Sequence, residues 1–249
     1  LGTFPHQNYN GDVEEMFPWR DGDLCLNNSS KVFQALGFDS EPFDAASRLI
    51  WHFKRALLWL QAANAEELIK SGEPFELPHF PKAAPKAAPK TAPKTIAFSE
   101  SGESYMNWRK SNKKYGLIEF KKVLAKELDL YVTTKFTSMD SKVVYEPLWG
   151  DAINQSPTYF SGMWIMLNEV PVLDPWQAPT SWGELEFVCK EQGIDLIEIM
   201  RVMTTKFRNG NPHIVLLGFP IPAKFGEEPV QIFWQPLQLP ALSYGIKKI

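Results

Sequence analysis

Proline stands at positions 81, 85, 89 and 93, each followed by lysine: Pro81-Lys82-Ala83-Ala84-Pro85-Lys86-Ala87-Ala88-Pro89-Lys90-Thr91-Ala92-Pro93-Lys94. Each proline lacks a backbone donor and its ring clashes with the preceding helical turn, so no helix can cross this stretch. Lysine and alanine give it nothing to bury. The pattern predicts an extended, semi-rigid, positively charged spacer kept in solution by its lysines. Such a strand can also touch an acidic partner or a nucleic acid, but a solvated linker is the simpler reading. It divides the chain into residues 1–80 and 95–249 with a linker at 81–94, and each part needs its own core.

There is material for two. The 249 residues are 44% hydrophobic and 22% charged with a net charge of −3, an ordinary globular profile. This balance argues against a nucleic-acid binder. No apolar run reaches the roughly 18 residues of a membrane span, and none is expected. Leu1-Gly2-Thr3-Phe4 shows neither the basic nor the apolar region of a signal peptide. The two cysteines, Cys25 and Cys189, lie far apart, which fits a reducing compartment; the cytoplasm is the expected location.

Residues 1–42 read as loop, punctuated by Pro5, Pro18, Pro42, Asn10-Gly11 and Asp21-Gly22, with a short helix over 31–36. Asp44 or Ser47 then starts a helix. Leu49, Phe53, Leu57 and Leu60 recur at helical spacing, widened by Ile50 and Ala56, while Trp51, Leu58 and Trp59 line a second side. A helix apolar around most of its girth is expected to be sandwiched. Lys70 and Gly72 suit its C-terminus.

Beyond the spacer, the spacing predicts helices over 103–114 and 117–128 separated by Gly116, and β-type residues fill 130–136. Arg109, Lys110, Lys113, Lys114, Lys121 and Lys122 form a candidate basic patch interleaved with Trp108 and Tyr115. A solvated face is the plainer account. Residues 159–170 read as a buried strand. Ser181 with Glu184 forms a capping box for a helix ending near Gly193, with Cys189 packed inside it. Asp195 either caps a helix to Met203 or precedes a strand over 194–202, and 213–219 with 230–234 predict a hairpin. The fold class is therefore α+β.

One cysteine draws attention. Cys25 sits between Leu24 and Leu26, just after the acidic, glycine-containing stretch Asp21-Gly22-Asp23. A thiol is the strongest side-chain nucleophile near neutral pH once its thiolate is stabilised. His6 can carry charge or shuttle a proton, and the Asn8 amide can donate to the oxyanion of an acyl-transfer intermediate. Asp21 and Asp23 can orient an amine or take its proton, while raising the thiol pKa. From residue type alone, however, a cysteine between leucines is more often a small buried hydrophobe.

The order Pro5-His6-Gln7-Asn8, acidic-Gly stretch, Leu24-Cys25-Leu26, then a Trp-rich helix ending in Gly72-Glu73-Pro74-Phe75-Glu76-Leu77-Pro78, resembles the ubiquitin-conjugating (UBC) fold over about residues 4–80. More narrowly it is similar to bacterial conjugating-enzyme-like domains fused to, or encoded beside, a ThiF-type adenylating enzyme. The resemblance implies that Cys25 is a thioester acceptor, Asn8 an oxyanion donor and His6 a structural or polarising partner. It implies two protein partners, a ubiquitin-like modifier and an adenylating enzyme in cis or in trans. A complete conjugating fold also needs a helix and about three strands before Phe4, so the resemblance predicts a truncated conjugating domain in a fragment of a longer protein. By the same analogy, the second domain connects it to an adenylating module.

No phosphate-binding glycine loop, H-E-x-x-H, paired C-x-x-C or G-x-S-x-G is present, and His6, His52, His79 and His213 lack metal-ligand spacing, so no cofactor or metal is expected. Two other readings stay open: a non-catalytic scaffold joining a degenerate conjugating fold to an adenylating domain, and a cysteine hydrolase using Cys25 and His6.

Overall fold

The computed structural model describes residues 7–13, 20–24, 42–69, 71–78, 80, 95–125, 128–173, 177–206 and 213–239. It is α+β. The chain divides into two compact units, one comprising Leu1–Pro81, Val172–Thr180 and Pro222–Glu228, the other Lys82–Pro171, Ser181–Ile221 and Pro229–Ile249. The short helix read over 31–36 and the spacer at 81–94 lie outside the described residues.

In the first unit, a stretch expected to be loop contains an antiparallel hairpin, β1 (Gln7–Val13) paired with β2 (Arg20–Leu24). Asp21-Gly22-Asp23 is thus strand rather than turn. The strands are polar and carry Gly11 and Gly22, so they show neither apolar alternation nor a β-rich composition. Their pairing is also irregular, with register shifts between Gln7 and Tyr9 and between Asn10 and Val13.

Helix α1 (Ala45–Asn64) begins at Asp44, whose carboxylate accepts from the Ser47 backbone N–H at 2.9 Å. That bond holds the Asp44 carboxyl below its usual range. The helix stops at Asn64, earlier than Lys70 and Gly72 suggested: Glu66 takes a positive φ of 59°, and the Glu67 N–H reaches back to the Ala62 carbonyl at 2.8 Å. Gly72, also at positive φ, lies in a later turn. From there residues 72–75 pair with 223–225 through Gly72 N to Phe225 O at 2.9 Å, Phe225 N to Glu73 O at 2.8 Å and Phe75 N to Ala223 O at 3.1 Å. The rings of Phe75 and Phe225 meet at 5.0 Å. Among the described residues α1 is not sandwiched: Leu49, Ile50, Phe53, Leu57, Leu58 and Leu60 are each more than half exposed.

The second unit is built on a mixed seven-stranded sheet. Its elements in chain order are β3 (Thr95–Ala97), α2 (Gly102–Lys110), β4 (Tyr115–Ala125), β5 (Leu128–Ser138), β6 (Val143–Tyr145), α3 (Asp151–Asn154), β7 (Thr158–Met166), α4 (Trp182–Glu191), α5 (Leu196–Lys206), β8 (His213–Ile221) and β9 (Gln231–Leu239). The strand order is β3-β5-β4-β7-β8-β9, with β6 alongside β5. β3 runs parallel to β5 and β7 parallel to β8; the other pairs are antiparallel.

The helix predicted over 117–128 is strand β4. Leu117, Ile118, Val123 and Leu124 satisfy a helical stripe, but Gly116, Ile118 and Phe120 are the buried set, at every second residue. Gly116 is required there. A Cβ would lie 1.9 Å from the Thr137 carbonyl oxygen and 2.7 Å from Trp164 Nε1, and that indole N–H donates to the same carbonyl at 2.9 Å. Asp195 proves to be a helix cap, its carboxylate accepting from Glu198 N at 2.9 Å. The capping box at Ser181 and Glu184 forms as read.

One core gathers Ile118, Phe120, Phe136, Trp164, Leu216 and Trp234 from five strands with Tyr105 and Trp108 of α2. Trp108 is therefore packed inside and does not stand among the basic residues as a stacking surface. The alternate residues Met163, Ile165, Val215, Leu217 and Phe219 are buried too, so both faces of β7 and β8 are covered. The parallel strands β7 and β8 are joined through α4 and α5, which bury Leu185, Val188, Cys189, Ile199 and Met203. No helix among the described residues is long and apolar enough to cross a membrane.

Candidate functional site

Of the four residues singled out around the cysteine, Asn8 and Asp23 lie in described backbone, and His6 and Cys25 lie outside the described residues. Asn8 belongs to β1 and Asp23 to β2. The register pairs Gln7 with Leu24 and Tyr9 with Asp23, so β1 advances two residues while β2 advances one. Asn8 is the extra residue, the position of a β-bulge. Bulges are over-represented beside active sites and at sheet edges, where they break regular pairing. In the sequence, His6 and Cys25 are the next residues outward from the pair Gln7 and Leu24.

Cys189 presents the opposite case. It is fully buried within α4, and desolvation pushes its thiol up to about 11. A thiol held protonated and shielded from solvent is neither nucleophile nor ligand.

Sequence reasoning missed a partly buried, multiply bonded acid of the second unit, Glu100. It lies between β3 and α2, immediately before the helix cap Ser101. Its Oε1 accepts from the indole N–H groups of Trp234 at 2.6 Å and Trp108 at 3.2 Å. Its Oε2 accepts from the Ser104 hydroxyl, which also takes part in the α2 capping box. Burial raises the Glu100 carboxyl above its usual range, opposed by these three donors. The Tyr145 hydroxyl closes the cluster by donating to the Ser99 carbonyl at 3.0 Å. Burial, and then the nearby Glu100 charge, raise the tyrosine. With its donors engaged, Glu100 acts as a tie between the α2 entry and β9. Its sequence signal was indirect: a buried tryptophan needs an acceptor for its N–H.

No group of three or more metal-ligating side chains gathers among the described residues. The predicted basic patch divides. Arg109, Lys110, Lys113 and Lys114 lie at the end of α2 and the entry to β4, whereas Lys121 and Lys122 lie further along β4, with Lys121 donating to the Asn154 carbonyl at 2.7 Å.

The chain is similar to known proteins in two respects. A family model described as the Cap2 central linker domain matches residues 66–248. The chain is 30% identical over 250 residues to the ATP-dependent ubiquitin transferase-like protein Cap2 of Enterobacter hormaechei subsp. hoffmannii (strain UCI 50), an alignment covering 99% of this chain. That alignment takes in 40% of the relative, so the chain spans about two fifths of the length of the curated protein it matches. With most of the sequence inside the matched model, the chain belongs to the Cap2 central linker domain family.

Proposed function

We propose that this chain is part of a ubiquitin-conjugation-type transferase, in which Cys25 accepts a ubiquitin-like modifier as a thioester and passes it to an amine. The observation that carries the reading is the β1–β2 register, in which the segment containing Asn8 pairs with the segment that runs into Cys25. The name of the matched relative, an ATP-dependent ubiquitin transferase-like protein, supports the same chemistry. The truncated conjugating-like domain assigned to residues 1–80 belongs to this proposal.

The chemistry has two steps. The Cys25 thiolate attacks the modifier thioester held by an adenylating enzyme of the ThiF type, forming a new thioester and releasing the donor thiolate. An amine then attacks that carbonyl through a tetrahedral oxyanion, forming an amide and releasing the Cys25 thiolate. Asn8 donates to the oxyanion, His6 supports or polarises, and Asp23 accepts a proton from the amine. Orientation supplies most of the acceleration, because aminolysis of a thioester is already downhill.

A second reading is favoured by the description of the matched family as a central linker. Residues 66–248 then connect a conjugating module to an adenylating module without chemistry of their own. The two readings are compatible in one protein.

Intact-mass measurement after incubating the full parent protein with ATP, adenylating enzyme and cognate modifier tests the first. The expected result is a thiol-labile adduct of one modifier, lost in Cys25→Ala. An adduct that persists in that variant, or none on the wild type, overturns the assignment.

A further inference from the structure

Two segments at one end of the large sheet carry five cations. Arg109 and Lys110 end α2, Lys113 and Lys114 lead into β4, and Lys142 lies in the turn between β5 and β6; all five are exposed. The two segments meet on one acid. Lys113 Nζ lies 4.0 Å from one oxygen of Asp140 and Lys142 Nζ 3.4 Å from the other, and the Ser138 hydroxyl donates to the same carboxylate. Lys114 is steadied by a hydrogen bond to Asn168. Beside them opens a hollow of about 440 Å³, lined by Asn112, Lys113, Lys114, Tyr115, Met139 and Asp140.

We infer that this end of the sheet docks an acidic segment of a protein partner, whose carboxylates pair with Lys110, Lys113, Lys114 and Lys142. The argument is charge complementarity. Residues 109–114 contain four cations and no acid, on a chain whose total charge is −3. Asp140, engaged by two lysines and a serine, carries a single negative charge against the patch's five cations. The open hollow borders Lys113 and Lys114.

A nucleic acid fits less well. Single strands bind on charge combined with exposed aromatic platforms, yet Tyr105 and Trp108 are buried and Tyr115 alone borders the hollow. A duplex needs cations tracking its phosphates, whereas these cluster at a sheet end. This surface lies apart from Cys25 in the sequence, and its test does not depend on thioester chemistry.

The probe is a fluorescein-labelled decaglutamate peptide, titrated with the full parent chain and read by fluorescence anisotropy at low salt and at about 0.3 M salt. Lys113→Glu with Lys114→Glu is expected to weaken binding about tenfold or more, and salt to weaken it in the wild type. Reversing two exposed cations of the other unit, Lys54→Glu with Lys224→Glu, is expected to change it less than about twofold, because neither residue belongs to the patch. Circular dichroism checks the fold of each variant. If charge reversal disturbs folding, Lys113→Gln with Lys114→Gln is expected to give about a threefold loss, in keeping with the modest strength of exposed ion pairs. Equal weakening by that control pair, no binding of the peptide, or tighter binding of a labelled oligothymidylate of the same length overturns the assignment.

Discussion

The indole N–H of Trp234 donates to Glu100 Oε1 at 2.6 Å, joining residues 134 positions apart. Trp108 donates to the same oxygen, so one carboxylate fixes the start of α2 against the last strand of the sheet. Removing it leaves two indole donors without their acceptor inside an aromatic core. Glu100→Ala is therefore expected to destabilise the chain by about 1–3 kcal/mol. Urea unfolding read by tryptophan fluorescence checks this, and an unchanged midpoint would show that the tie carries no stability.

The same carboxyl has a pH signature. Burial raises its folded pKa above the ordinary carboxyl value of 4.5, so the folded state holds the proton more tightly than the unfolded state does. By linkage, its contribution is fully present below 4.5 and is lost as pH rises through the folded value. The stability difference between wild type and Glu100→Gln should accordingly shift against the wild type on going upward from 4.5. Denaturant titrations of both proteins across mildly acidic pH provide the measurement; a flat difference contradicts the assignment.

Gly116 sits where a hydrogen atom alone fits between the Thr137 carbonyl and the Trp164 indole. Gly116→Ala must push the strands apart or break the indole hydrogen bond. A loss of about 3 kcal/mol, the upper end of ordinary overpacking, is expected by thermal or urea denaturation. A variant of unchanged stability would mean that the strands yield freely there.

The two thiols should separate cleanly in labelling. Cys189 is fully buried with its thiol pushed up to about 11, so iodoacetamide at about pH 8 should spare it until the chain unfolds. The proposed acceptor Cys25 should react in the native protein. Peptide mapping after alkylation distinguishes them, and a native Cys25 that resists labelling would favour the connector reading.

Asn8, at the bulge of β1, is assigned to the oxyanion and not to loading. Asn8→Ala should then form the Cys25 thioester at the wild-type rate but discharge it to an amine about 10²-fold more slowly, within the range for one lost oxyanion donor. Single-turnover assays of the two steps separate these effects. Wild-type discharge would remove Asn8 from the proposal.

Features written in local chemistry were legible in the sequence. Asp44 and Ser181 with Glu184 announce helix starts because a cap acts on residues three positions away, whereas at Asp195 the sequence left helix and strand both open. The strands at 213–221 and 231–239 announce themselves by β-rich composition and an intervening turn-rich loop. What depended on distant partners was not legible. β4 carries a stripe compatible with either period, and its neighbours β5 and β7 decide it as a strand. The polar β1–β2 hairpin is held by backbone pairing that needs no apolar alternation. Glu100 reads as one more surface glutamate until α2 and β9 close over it. The stop at Asn64 depends on a positive φ at Glu66, a residue type that rarely signals one. Around Cys25, chemistry suggested a set of residues, but spacing could not show that Asn8 would occupy a bulge paired toward Leu24.

The bond between Glu100 and Trp234 also sets a timetable. A ribosome delivers Glu100 long before Trp234, so β3 and α2 emerge while the outermost strand is still unmade. Their shared acceptor must wait for the far end of the unit, and truncation before Gln231 would leave the nascent aromatic cluster open to chaperones and proteases. Folding of this unit is therefore expected to be completed only after its last strand clears the exit tunnel.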